Sequence, residues 1–193
     1  MNIDEKAGIV FKAMKYAERK HKGQVRKGSG SPYFHHPLMV SYIAANFKKS
    51  KNLHTLIAAA ILHDVVEDCD VKPHTIIKMF GMDVSKLVFE LTDDKDEIKR
   101  IGKVEYQKKK WCGLSNYGLF LKLCDRLANV SDNPRAQYID DTLTVLNNLM
   151  ENRRLTRSQR SVCDEIYKVI DKFYMGANSS DVSRYIEKRN GTK

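Results

Sequence analysis

Apolar residues three and four positions apart recur along most of this chain, which is the spacing of one helix face. Ile9, Val10, Ala13, Met14 and Ala17 predict a helix over 4–21, with Asp4 placed to cap it and Gly23 to end it. A second helix is expected from Pro37 through Leu38, Val40, Ile43, Ala44 and Phe47, since proline suits a first turn. After a polar and basic linker, 48–52, a central helix is expected over about 53–67, apolar on all sides through Ala58–Leu62. A short helix over 73–80 should stop at Gly81, and another, capped by Asp83, should run through Val84, Leu87, Val88 and Leu91 to Thr92–Lys95. Residues 95–115 read as a basic helix and then a mobile loop around Trp111, Cys112 and Gly113. An apolar run follows over 116–131. Two further stripes then appear, Tyr138 to Leu149 and Val162 to Phe173, before turn-like residues 176–183 and a polar tail. Strand-like alternation is scarce and no repeat is visible. The expectation is an all-α helical bundle, a single domain over 1–193, with 151–193 as a helical extension.

The polar residues that interrupt these runs carry the chemistry. Ala58–Leu62 leads directly into His63-Asp64 and, one turn later, Glu67-Asp68. On one continuous helix these four groups fall on roughly one side. Charges beside alanine and leucine need compensation, and a divalent metal is a common compensator. The competing reading is a helix end with solvated acids. Asp125 stands in a second apolar run, Leu119–Val130, where it needs a partner: Arg126, a neighbouring lysine or a metal. Asn129, one turn on, either bonds a ligand or caps a turn. Of His35 and His36, ahead of Pro37, one should point inward and the other out. His36, His63, Asp64 and Asp125 together make a mixed nitrogen and oxygen donor set that suits manganese, zinc or iron better than a thiophilic ion. His54 and His74 read as surface or packing residues. Spacing alone leaves open whether the four donors converge.

Composition narrows the class. With 42% hydrophobic and 30% charged residues the chain is globular. Its four cysteines form no CxxC pair, which argues against a zinc ribbon or a disulfide framework. No segment approaches the length of a membrane span, so a cytoplasmic protein is expected. The formal net charge is +10. It suits either nucleic acid or a phosphorylated small molecule. The two densest basic runs, 99–110 and 153–160, lack the interleaved aromatics of a stacking platform, so nucleic acid is the weaker option. Trp111 is either a base-stacking side chain or a packing anchor. The glycine-rich segment 23–32 is a flexible loop rather than a Walker loop, but Arg26 and Lys27 on it could clamp a phosphate.

Three blocks carry a resemblance. His21-Lys22-Gly23-Gln24-Val25-Arg26-Lys27 with Ser31-Pro32-Tyr33-Phe34-His35-His36-Pro37, then Leu62–Asp68, then Lys122–Asn129, resemble the hydrolase domain of the RelA/SpoT family of HD-domain phosphohydrolases. Leu91–Lys95 is similar as well. The resemblance spans about residues 5–150. It implies an HD-type helical bundle with a metal between helices, held by His36, His63, Asp64 and Asp125 and usually manganese, with another divalent ion as the alternative. It implies that Glu67 and Asp68 handle the attacking water, that Arg26 and Lys27 meet substrate phosphates, and that Asn129 lies near the nucleotide. The implied reaction removes pyrophosphate from the 3′ side of (p)ppGpp, giving GDP or GTP, in a stand-alone MESH-like enzyme. Ala128 and Ser131 depart from the family, which often carries histidine or tyrosine and arginine there. A general nucleotidase acting on NADPH or another 2′- or 3′-phosphorylated nucleotide is therefore the second reading. A non-catalytic nucleic-acid-binding module is the third.

Overall fold

The helix without a polar face, α3 (Leu53–Leu62), sits at the centre of a computed structural model that describes residues 3–175 and Tyr185. Its Leu56, Ala58, Ala59, Ala60, Ile61 and Leu62 are all buried. Each large side chain here contributes about 1.5–3 kcal/mol by leaving water. Around it pack α1 (Ile3–Lys20), α2 (His35–Phe47), α5 (Pro73–Leu91) and α8 (Asn116–Val130). The regular structure among the described residues is helical, and an isolated antiparallel bridge, Val25–Pro32, pairs within the basic loop. The alanines of α3 let its neighbours approach closely, and that closeness brings α2 and α8 together over its C-terminal end.

Three expectations change. The central helix does not run unbroken through 67: α3 ends at Leu62, His63-Asp64 form a turn, and α4 is the short Val65–Asp68. Asp64 opens to ψ −8°, short of a regular helical turn. The basic segment 95–115 holds no irregular loop. It forms α6 (Lys95–Ile101) and α7 (Lys103–Gly113), turned at Gly102, whose φ of 84° lies in the left-handed region. Asp94 caps α6, accepting from the Asp96 and Glu97 amides at 3.0 Å. Trp111 is fully buried, so it is a packing anchor and no base can stack on it. Finally, the glycine-rich loop is closed on itself, with Arg26 N donating to Ser31 O and Tyr33 N to Gln24 O, both at 2.9 Å. The expected stop at Gly81 does appear, as a kink in α5 with φ of 79°.

The basic runs are largely consumed by the fold. Lys99 pairs with Asp96 and Lys108 with Glu105, each three residues away, and Arg100 pairs with Glu97. Arg153 Nη1 bonds the carbonyls of Trp111, Cys112 and Leu114, which end α7 without intrahelical donors. Beyond α9 (Ala136–Asn152), α10 (Arg157–Met175) lays Val162, Cys163, Ile166 and Ile170 into the core beside α8. The expected cap by the Asp4 side chain and the expected turn at 176–183 lie outside the described residues. Among the described residues no helix is long and apolar enough to cross a membrane.

Candidate metal centre

Two helix ends and the middle of a third helix deliver the cluster. His36, in the first turn of α2, points inward and is buried, while His35 is exposed. His63 follows the last residue of α3, and Asp125 lies midway along α8. One donor atom from each of His36, His63 and Asp125 lies within 4.8 Å of the others. His36 Nε2 is 3.1 Å from Asp125 Oδ1 and 3.8 Å from Asp64 Oδ2. His63 Nε2 is 3.1 Å from Asp64 Oδ2 and 3.7 Å from Asp125 Oδ1. The four candidate ligands therefore converge around the two Nε2 atoms.

The break after α3 explains the orientation of His63. The last carbonyls of a helix lack internal donors. Ala60 O is one of them, and His63 Nδ1 lies 2.7 Å from it. A carbonyl only accepts, so Nδ1 carries the hydrogen and donates. That leaves Nε2 to face the carboxylates, buried and without a hydrogen-bond partner. Burial works against a charge on His63, but Asp64 and Asp125 outweigh it and raise its proton affinity well above the ordinary imidazole range. Burial likewise opposes ionisation of Asp125, yet His36 and His63 beside it hold its carboxyl well below the usual range. The cluster calls for a cation at Nε2. A divalent metal fits it: two imidazole nitrogens and two carboxylates are a hard-to-borderline donor set, and the second ring nitrogen of His63 is already anchored.

The surroundings divide by charge. Tyr33, between the basic loop and α2, donates its hydroxyl to Asp64 Oδ2 at 2.7 Å, with Asp68 Oδ2 at 3.3 Å. Burial, then the adjacent Asp64, keeps this phenol protonated far beyond neutral pH. Glu67 Oε2 accepts from the Asp93 amide at 3.0 Å, and burial, chiefly, raises its carboxyl above the usual range. Asp68 is exposed at the mouth. Glu67 and Asp68 thus line the same cavity of about 150 Å³ as His36, Asp64 and Asp125. Lys122 is buried there, 3.6 Å from Asp93 Oδ1 and 3.7 Å from Asp125 Oδ2. Burial disfavours its charge, but Asp125 and Asp93 more than restore it. Asp125 is thus paired with a neighbouring lysine and with the histidines, and not with Arg126. Arg126 instead donates to Gln107 and Thr142 and lies against the Trp111 and Tyr138 rings.

Arg26 reaches the cavity wall, while Lys27 lines a neighbouring cavity of about 280 Å³ with Asn129, Arg135 and Tyr138. Asn129 borders both. Tyr33, Asp93, Lys122 and Asp132 were not singled out from the sequence. Lys122 had a local signal, since a lysine in an apolar run needs a partner as much as Asp125 does. Asp93 had only its place in the Leu91–Lys95 block, and Asp132 had none.

Against known proteins, the family model for the HD domain matches residues 13–113. The chain belongs to the HD-domain family. Within it, the human guanosine-3′,5′-bis(diphosphate) 3′-pyrophosphohydrolase MESH1 is 34% identical over 131 residues, covering 67% of this chain and 72% of that protein. The Xenopus tropicalis protein of the same name is 34% identical over 127 residues, 65% of this chain and 70% of its own. The Brucella melitensis GTP pyrophosphokinase rsh is 28% identical over 97% of this chain, but that match spans only 26% of the longer protein. A solved structure, described as a metazoan ortholog of SpoT that hydrolyses ppGpp, superposes with a TM-score of 0.70 at 30% identity. It covers 83% of this chain and 94% of that one. This HD-domain protein is accordingly a hydrolase related to the MESH1 and SpoT type.

Proposed function

We propose that this HD-domain hydrolase is a manganese-dependent 3′-pyrophosphohydrolase of the guanosine alarmones (p)ppGpp, releasing pyrophosphate and GDP or GTP. The observation that carries the reading is a single cavity lined by His36, the carboxylates of Asp64, Glu67, Asp68 and Asp125, and the cation of Arg26, with the buried His63 Nε2 3.1 Å from Asp64 Oδ2 at its edge. The name and 34% identity of human MESH1 support the choice of substrate.

His36, His63, Asp64 and Asp125 would hold the ion. When bound, it supplies charge to neutralise a phosphoryl oxygen and acidifies water toward hydroxide. The chain's own residues do the rest. Glu67, held by the Asp93 amide and raised in proton affinity by burial, takes a proton from the attacking water. Asp68, exposed at the mouth, orients that water, and Tyr33 fixes Asp64 behind it. The water oxygen bonds to the phosphorus attached to ribose O3′. The P–O3′ bond breaks, and O3′ leaves as the 3′-hydroxyl, taking up the proton that Glu67 removed from the water. Arg26 offers a forked donor to the phosphates, and Lys27 a point charge. Asn129, bordering both cavities, stands between the phosphates and the nucleoside.

The test is product analysis with manganese across ppGpp, pppGpp, NADPH and ordinary nucleotides. Release of pyrophosphate from ppGpp and pppGpp is expected. Turnover of NADPH alone would replace the substrate and leave the metal centre standing. Ala128 gives that second reading its one structural reason: it is fully buried and offers nothing to a base.

A further inference from the structure

Arg26 does not wait free for substrate. Its Nε donates to Asp132 Oδ2 at 2.9 Å and its Nη2 to Asn129 Oδ1 at 2.8 Å. The Asn129 Nδ2 then donates to Asp125 Oδ1 at 2.7 Å and to the Asp125 carbonyl at 3.1 Å. This order of atoms is forced. A guanidinium only donates and a carboxylate only accepts, so the amide must turn its oxygen to Arg26 and its nitrogen to Asp125. A flip would set N–H against N–H and oxygen against oxygen. Asp125 Oδ1 is also the oxygen 3.1 Å from His36 Nε2, on the side where the ligands converge. One side-chain amide therefore joins the basic loop to the donor atom of the cluster.

We propose that Asn129 is a positioning residue that couples the basic loop to the metal centre, with Arg26 anchoring its amide and Asp132 anchoring Arg26. The proposal rests on the reading of His36, His63, Asp64 and Asp125 as metal ligands. Because the amide sets the direction of Asp125 Oδ1, a change at Arg26 alters ion affinity without touching a ligand. An anion that draws Arg26 away from Asp132 acts on the same amide. Linkage then requires that anion binding and metal binding change each other's affinity by the same factor. Asp132 is the resident counter-ion that a substrate phosphate must displace.

The sign of one substitution separates this relay from plain electrostatics. A bystander cation on the cavity wall repels a divalent ion, so removing it tightens binding. A cation that anchors Asn129 does the reverse. Manganese binding is measured by titration calorimetry on EDTA-treated wild type, Arg26→Met, Asn129→Ala and the double variant, with metal-free melting curves to verify folding. Asn129→Ala should weaken manganese 10- to 100-fold, the usual effect of removing a group that orients a ligand. Arg26→Met should weaken it several-fold. The double variant should match Asn129→Ala, because both changes cut one chain of contacts. Manganese binding in Arg26→Met that equals or exceeds wild type overturns the coupling. So does an Asn129→Ala protein that binds as tightly as wild type, and alanine within α8 leaves that helix intact. Wild type that takes up no manganese overturns both the coupling and the metal-centre reading beneath it.

Discussion

Metal addition tests the centre directly. His36 starts α2, His63 and Asp64 form the turn after α3, and Asp125 lies within α8, and only the fold brings their donor atoms together. An ion there binds the folded chain and not the unfolded one. At about one hundred times its dissociation constant, a ligand of that kind stabilises by about 2.7 kcal/mol. For a chain of this length each kcal/mol raises the melting temperature by about 2–4 °C. Manganese should therefore raise it by roughly 5–11 °C, read by scanning calorimetry on EDTA-dialysed protein. His63→Ala removes a cluster atom, Nε2, that is buried and without a hydrogen-bond partner, and it should abolish most of that rise. It also loses the bond to Ala60 O, so the metal-free protein melts earlier. The response to metal, and not the melting temperature itself, is thus the diagnostic quantity. The reasoning is refuted if manganese, zinc and iron all leave the wild type unchanged. It is refuted equally if His63→Ala responds as strongly as the wild type.

Other expectations follow from single residues. Glu67→Gln should lower kcat by about 10²- to 10⁴-fold while calorimetry finds manganese uptake within a few-fold of wild type, because in the proposed mechanism this side chain moves a proton and is not one of the four metal ligands. Trp111→Ala should cost about 3–5 kcal/mol in urea unfolding, since it empties a fully buried site against the Arg126 guanidinium. Cys124 and Cys163 are fully buried, and burial pushes the Cys163 thiol up to about 12 and raises Cys124 as well, so iodoacetamide at pH 8 should label the more accessible Cys69 and Cys112 first, although burial also raises Cys69. The sign for stability follows from the same shift. A thiol whose folded pKa lies above its unfolded value of 9.0 leaves stability intact below that pH. Stability is then lost as pH climbs toward about 12, which denaturant melts across that range will reveal.

The helices were legible because their signal is local. Ala58–Leu62 has no polar face, so it could only be a central helix, and the 3.6-residue stripes after Tyr138 and Val162 could only pack inward. The donor types were legible for the same reason: His63, Asp64 and Asp125 stand where apolar neighbours make an uncompensated charge costly. Where the local signal was composition and not periodicity, reading failed. Residues 95–115 looked like a basic helix giving way to a mobile loop, yet pairs such as Lys108–Glu105 and a buried Trp111 make helix through Gly113.

What only the tertiary structure decided concerns partners distant in sequence. The turn at His63-Asp64 leaves Ala60 O in need of a donor and His63 supplies it, which no hydrophobic pattern records. Glu67 is held by the amide of a residue 26 positions away, and Arg26 by an aspartate 106 positions away. Periodicity specifies which side of a helix is buried. It carries no information about which polar group on another helix will face it. That is settled when packed helices leave each buried donor and acceptor a small set of reachable partners.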